Sequence, residues 1–247
     1  MTEIEPLART KGKKVKSIAE EAIDEVHDAK QKTAAQWEAI RNFINHRCIH
    51  RVPPNAKEII SLDSPAQHYE WQFYLREACL EPGVLAFTAE QFWKTNAARF
   101  KDKPFQIACV EQAGTYPLSA ILLGGAARGI PIHAFTVRKD YKAYGIGNLI
   151  EGRPDYRLPV MFIDDLTSPT HNTFWHFVRA LKRFKLTLYP WCFVLVRKQR
   201  RNEPRQLTTS FGDVMIESLY CLDDFNMTLS DYLRNGNEKT KSKNGGG

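Results

Sequence analysis

The hydrophobic positions of this chain change their spacing part-way along it. Between residues 17 and 47, Ile18, Ala22, Ile23 and Val26, then Trp37, Ile40, Phe43 and Ile44, recur every three or four positions among charged residues, which predicts amphipathic helix. His46, Cys48, His50 and the pair Pro53-Pro54 close that helix. Thr88-Ala89-Glu90-Gln91 has the spacing of a capping box and predicts a helix from Glu90 to Phe100. Beyond residue 100 short apolar runs alternate with helical stretches. Strands are predicted over Phe105–Val110, Pro131–Val137, Val160–Ile163 and Trp191–Val196, with helices over Pro117–Arg128 and Thr173–Phe184. Alternating strands and helices imply right-handed crossovers and a mostly parallel sheet. Runs without polar alternation fit strands buried on both faces. In such sheets ligands sit beyond the carboxyl ends of the strands, so the residues after each strand matter most.

Composition narrows the class. The chain has 247 residues, 43% of them apolar, enough for one sizeable core with an added segment. Its five cysteines are scattered, odd in number and form no CxxC pair. With no N-terminal apolar signal region and no apolar run near the roughly 20 residues a membrane span needs, the expectation is a soluble cytoplasmic protein. His46, Cys48 and His50 lie close together, but a zinc site needs about four ligands and no second cluster is visible, so no metal is expected there.

The net charge of +7 is concentrated at the ends. Arg9, Lys11, Lys13, Lys14 and Lys16 outweigh Glu3 and Glu5, and Arg234, Lys239, Lys241 and Lys243 outweigh Glu238. The body is therefore close to neutral, which argues against a broad nucleic-acid-binding face. One internal cluster remains, Arg197, Lys198, Arg200, Arg201 and Arg205, and reads as a solvated hairpin beyond a buried strand. The two tails and residues 197–205 are where a nucleic acid would be met. Residues 235–247 are polar and glycine-rich and are expected to be disordered.

The chemistry gathers in three strand-end loops. The third predicted strand, Val160-Met161-Phe162-Ile163, runs into Asp164-Asp165 and then Leu166-Thr167-Ser168-Pro169-Thr170-His171-Asn172-Thr173. Two adjacent acids at a sheet rim can accept hydrogen bonds from vicinal ribose hydroxyls, and a helix N-terminus just beyond is a place for a phosphate. After Val137 comes Arg138-Lys139-Asp140-Tyr141-Lys142-Ala143-Tyr144-Gly145-Ile146-Gly147, a basic stretch with glycines that reads either as an ordinary exposed loop or as a mobile lid able to close over a pyrophosphate leaving group. After Val110 comes Glu111-Gln112-Ala113-Gly114-Thr115, a glycine turn before a helix. Gly124-Gly125 lies within a helical pattern and lacks the Lys-Ser/Thr of a P-loop, so it reads as close helix packing.

Together these loops resemble the type I phosphoribosyltransferases, over about residues 105–198. The apolar strand and paired acids resemble the family's signature for the ribose and 5-phosphate of phosphoribosyl diphosphate. Arg138, Lys139, Asp140, Lys142, Gly145 and Gly147 fall on the pattern of the lid of orotate phosphoribosyltransferases, with Tyr144 where that family has histidine. Glu111 to Thr115 resembles the family's short pyrophosphate loop.

The resemblance implies an α/β fold, a phosphoribosyltransferase-like parallel sheet flanked by helices, to which the helical pattern over residues 17–47 adds an N-terminal helical extension. The implied division is a basic tail and extension over 1–50, the main domain over 51–234 and a tail over 235–247. It further implies transfer of a phosphoribosyl group to a nucleobase, orotate-like or other, with release of pyrophosphate. In that reading Asp164 and Asp165 hold the ribose and Mg²⁺, and Arg138, Lys139 and Lys142 neutralise the diphosphate. Ser168, Thr170, His171, Asn172 and Thr173 take the 5-phosphate, with Glu111, Gly114, Thr115 and Tyr144 completing the substrate site. A homodimer is implied as well.

The turn after the acids departs from the family, which usually has glycine there. Pro169 removes a backbone donor. That departure and Tyr144 favour an alternative, a catalytically reduced nucleotide-binding regulator, or an accessory or effector subunit of a bacterial multi-protein or nucleic-acid-associated system. Such a subunit would dock a protein partner through the N-terminal helix.

Overall fold

The computed structural model describes residues 33–51, 59–60, 68–69, 71–139, 149–167 and 172–228. The expected helix over residues 17–32, the tail 235–247 and both basic ends therefore lie outside the described residues. The chain divides into two compact units, Met1–Ala39 and Ile40–Gly247. Residues 33–43 are helical (α1) and run into a π turn over Ile44–Cys48. Ile40 and Ile44 are buried, so this part of the expected partner-docking face is occupied by the larger unit's own core. The strand β1 (Ile49–Arg51) pairs antiparallel with β4 (Trp71–Phe73), which places the boundary drawn at residue 50 inside a paired strand. The short pair β2 (Ile59–Ile60) and β3 (His68–Tyr69) is also antiparallel.

The centre is a seven-stranded sheet. Its strands are β5 (Gln106–Val110), β6 (Ala134–Val137), β7 (Ile150–Gly152), β8 (Val160–Thr167), β9 (Leu188–Arg197), β10 (Gln206–Thr209) and β11 (Gly212–Cys221). They lie in the order β10-β11-β9-β8-β5-β6-β7. The five inner strands are mutually parallel, and β7 and β10 pair antiparallel at the two edges. The expected strands are all present. The third is longer than expected, because β8 continues its pairing with β9 as far as Thr167↔Arg197. The acids therefore lie within the strand rather than beyond it.

Side chains alternate across the pleat, and the sheet is covered on both faces. Ala108, Val110, Phe162 and Val194 meet Phe174, Phe177, Val178 and Leu181 of α4 (Asn172–Arg183). Ile107, Cys109, Met161, Ile163 and Phe193 meet Phe92 and Trp93 of α2 (Pro82–Asp102) and Leu118 and Ile121 of α3 (Thr115–Ala126). The second layer is aromatic, with Phe92 set edge-on to Trp93, Phe105 and Phe193.

Helix α2 begins eight residues before the predicted Glu90. Pro82 stands in the first turn, where its fixed φ suits a helix start and its missing N–H costs nothing. Thr88 is buried inside the helix and its hydroxyl donates to the Val84 carbonyl at 2.7 Å, the mid-helix bond of a threonine rather than a cap. A polar cluster fixes α2 to the sheet: Glu217 on β11 accepts from Arg99 at 2.9 Å and from Asn96 at 3.1 Å, and the Arg99 guanidinium lies 3.9 Å from the Trp191 ring centre.

The close packing predicted at Gly124-Gly125 is present. A Cβ on Gly125 would stand 2.7 Å from the Trp93 ring, and Trp93 is held there by its indole N–H, which donates to the Ile121 carbonyl at 2.8 Å. Gly83, in the first turn of α2, has open space at the same position. Gly125→Ala is expected to lower stability by about 1–3 kcal/mol through overpacking, and Gly83→Ala to raise it by about 0.5–1 kcal/mol by relieving the glycine's entropy cost. Urea unfolding followed by tryptophan fluorescence measures both.

Candidate functional site

The carboxyl ends of β5 and β8, the loop after β5 and the start of α4 enclose a pocket of about 190 Å³. Its floor is Asp164 and Asp165, which are 5% and 8% exposed. Among the predicted residues, Glu111, Lys139 and Thr173 also line it. The backbone N–H of Asp165 donates to Asp164 Oδ1 at 3.0 Å, which holds one carboxylate against the strand.

Both acids are pushed above the ordinary carboxylate range. For Asp164 burial is the main cause and the neighbouring charge of Asp165 adds to it. For Asp165 burial is opposed by hydrogen bonds from Asp164 and the backbone and by the charge of Arg76. Two carboxyl groups forced together in low dielectric both resist ionisation, and a cation or a hydroxyl donor beside them would relieve that cost. Cys79, in the turn Ala78–Leu80, feels the same charges: burial first, then Asp165 and Asp164, push its thiol up.

The loop after β5 approaches these acids closely. Gly114 precedes α3, and a Cβ there would lie 2.7 Å from Cys109 Cβ, 2.9 Å from the Ile163 carbonyl and 3.1 Å from Asp164 Oδ1. Only a residue without a side chain lets the loop reach the acids. Thr115 was expected to face substrate, but its hydroxyl lies 3.7 Å from Cys109 Sγ, towards the sheet. Asn172 opens α4 and is exposed, outside the pocket lining. Lys142, Tyr144, Ser168, Thr170 and His171 lie outside the described residues.

Arg138 does not line the pocket. Its guanidinium is engaged with Glu151 on β7 and lies 4.0 Å from Glu111. Arg197 and Lys198 likewise depart from the solvated hairpin expected of them. Both are buried, and Arg197 donates to the Arg200 carbonyl at 2.7 Å. Arg200 and Arg201 bond Asp223 and Asp224 at 2.9 and 2.6 Å. The cluster thus ties the turn after β9 to the residues that follow β11.

Arg76, Gln112, Ala113 and Thr167 also line the pocket and were not read as site residues from the sequence. Gln112 and Ala113 follow from the loop's position. Arg76 does not, because residues 71–80 carry no periodic pattern that marks a strand end. Thr167 accepts from the Lys198 N–H at 3.1 Å, a bond between adjacent strands with no signature in either segment.

No protein-family model matches the chain, and no curated protein matches it in sequence. In three dimensions it is similar to the orotate phosphoribosyltransferase of Mycobacterium tuberculosis H37Rv solved with Fe(III) dicitrate, at 18% identity over 78% of this chain and 99% of that one, TM-score 0.56. A phosphoribosyltransferase from Corynebacterium diphtheriae is similar at 16% identity over 78% and 99% of the two chains, TM-score 0.56. The orotate phosphoribosyltransferase of Aeropyrum pernix follows at 14% identity over 75% and 94%, TM-score 0.51. The fold is therefore the phosphoribosyltransferase fold, a mostly parallel sheet flanked by helices. Among the described residues no helix is long and apolar enough to cross a membrane.

The raised acid predicts a stability change with a definite sign. Below the ordinary Asp range the carboxyl is neutral in both folded and unfolded chains. As pH rises through the raised folded value, the folded state must ionise a buried group and loses stability. Asp164→Asn keeps the oxygen that accepts from Asp165 and removes that charge. Its Tm is expected to exceed that of the parent by a few degrees at pH 7, with the gain vanishing towards pH 4. Thermal melts across that pH range read the difference.

Proposed function

We propose that this protein binds phosphoribosyl diphosphate at the Asp164–Asp165 pocket and transfers the phosphoribosyl group to a nucleobase-like nitrogen acceptor, releasing pyrophosphate. The observation that carries the reading is the buried acid pair at the carboxyl end of β8, in a pocket walled by the loop after β5 and by the first turn of α4. Ribose hydroxyls donating to Asp164 and Asp165 would satisfy the carboxylates that burial leaves strained. The free N–H groups opening α4, with Thr173, suit the 5-phosphate. Lys139 and Arg76 bring positive charge to the side from which diphosphate departs. In the reaction the C1–O bond breaks, its electrons leave with the diphosphate, and the acceptor nitrogen bonds to C1. The chain's part is to hold the sugar, neutralise the leaving group and orient the acceptor.

Mg²⁺ fits this donor set. Asp164 and Asp165 are adjacent carboxylates, and among the described residues no group of three or more His, Cys, Asp or Glu is disposed to hold a metal. Mg²⁺ is commonly held by one or two carboxylates, waters and substrate phosphates. Bound with the substrate, it would neutralise charge on the diphosphate.

A regulator with the same site and little or no transfer is the second reading. Glu111, an acid on the wall facing the diphosphate, favours it, as do Pro169 and Tyr144 in the sequence. The five cysteines are free and buried, in keeping with a cytoplasmic protein. The homodimer finds support in an uncovered apolar stripe. Tyr116, Ser119, Ala120 and Leu123 stand three and four apart on α3 and form, with α2, a groove of about 580 Å³, in which Leu123 is 70% exposed. Its charged lining residues are Glu90 and Arg128, one of each sign, which suits a second copy of the same surface.

Calorimetric titration with phosphoribosyl diphosphate and Mg²⁺ is expected to show binding that the Asp164→Asn, Asp165→Asn double variant loses by at least about tenfold. Pyrophosphate release should follow when the right base is supplied. Binding without release across a base panel would leave the regulator, and unaffected binding in the double variant would move the site elsewhere. For the dimer, sedimentation velocity should give twice the chain mass, reduced to one by Leu123→Glu; a monomeric parent protein would remove the assembly.

A further inference from the structure

Arg138 occupies the junction of the pocket's walls without facing into the pocket. Its backbone is fixed on both sides: its N–H donates to the Leu149 carbonyl at 2.8 Å, and its own carbonyl accepts from His176 Nε2 on α4 at 2.9 Å. The side chain, 13% exposed, leaves that fixed point and runs between the carboxylates of Glu151 and Glu111. Glu111 Oε1 also accepts from the backbone N–H of Lys139 at 3.3 Å. Glu111 and Lys139 both line the pocket. One carboxylate thus links the Arg138 guanidinium to the residue that carries a pocket cation.

The charge balance gives this link a consequence. The described lining holds three acids, Glu111, Asp164 and Asp165, against two cations, Arg76 and Lys139. A diphosphate entering such a site meets Glu111 on the wall of the loop after β5. Left unpaired, that carboxylate would repel the ligand and attract the Lys139 side chain. The Arg138 guanidinium, 4.0 Å away, stands on the side of that carboxylate where it can hold it back from the pocket and offset part of its charge.

We propose that Arg138 is a positioning residue that makes the pocket receptive to a diphosphate by restraining and neutralising Glu111, and that it does so without touching the ligand. This rests on the diphosphate-binding reading above. It differs from the role expected from the sequence, where Arg138 was a direct contact to the leaving group. The expected ligand class is a pyrophosphate or the diphosphate of a sugar ester. Through Glu111, Arg138 also sets the position of the Lys139 backbone.

The test is a double-mutant cycle on the full chain, with inorganic pyrophosphate and Mg²⁺ titrated calorimetrically into the parent, Arg138→Met, Glu111→Gln and the double variant. Arg138→Met is expected to bind about tenfold more weakly, Glu111→Gln at least as tightly as the parent, and the double variant to recover the parent's affinity. A double variant as weak as Arg138→Met would mean that Arg138 itself contacts the anion and would overturn the proposal, as would an Arg138→Met variant that binds normally. Amide hydrogen exchange at Lys139 supplies a ligand-free readout. It should speed up about tenfold in Arg138→Met, and unchanged exchange would overturn the positioning role. A parent that binds no pyrophosphate sinks the functional reading, while the exchange measurement still decides whether Arg138 holds Glu111.

Discussion

Burying two neighbouring carboxylates at one point of a sheet costs free energy, and much of this structure is arranged around that cost. Asp164 and Asp165 continue a strand whose preceding four residues are buried, so they cannot retreat into solvent without breaking the pairing of β8 with β9. That pairing extends past them to Thr167, and the Lys198 N–H bonds the Thr167 hydroxyl at the same end. The aromatic layer beneath and the phenylalanines of α4 above hold the strand rigid. A glycine lets the neighbouring loop reach the carboxylates. Sites of this kind give up stability in the empty protein for preorganisation towards a ligand.

How far the fold was legible follows from which residues carried its signals. Phe105 to Val110 and Val160 to Ile163 announce themselves because strands buried on both faces need continuous apolar side chains. The alternation of such runs with Leu- and Ala-rich helical stretches was enough for the architecture. Strand β11 was not read, since Asp213, Glu217 and Ser218 interrupt it. Glu217 belongs there because Asn96 and Arg99 of α2 satisfy it, a contact between distant segments that no local pattern carries. The start of α2 was hidden for the opposite reason. Pro82 and Gly83 look like a break, while Thr88 to Gln91 imitates a cap that the structure does not use.

At the site, the acids and Lys139 were legible because they follow hydrophobic runs. Arg76 arrives from a turn between a short strand and a 3₁₀ helix, and only the tertiary fold brings it to the acids. Cations misled in two places. Arg138 read as a cation for a leaving group, and Arg197 and Lys198 as part of a solvated hairpin, yet Arg138 is engaged with Glu151, Arg197 with a carbonyl of its own turn, and the exposed Arg200 and Arg201 with neighbouring carboxylates. A run of basic residues reports charge, and burial decides whether a ligand can use it.

The two edges of the sheet bear on how copies of this protein can meet. β7 has three residues and β10 has four, and both turn antiparallel to a parallel interior. β10 exposes alternate polar side chains, Gln206 and Thr208, and is bonded across to Asp213 through the Thr208 hydroxyl at 2.9 Å. Short, polar edges offer a poor template for adding strands from another molecule. Growth of the sheet by edge-to-edge stacking of copies is thereby disfavoured.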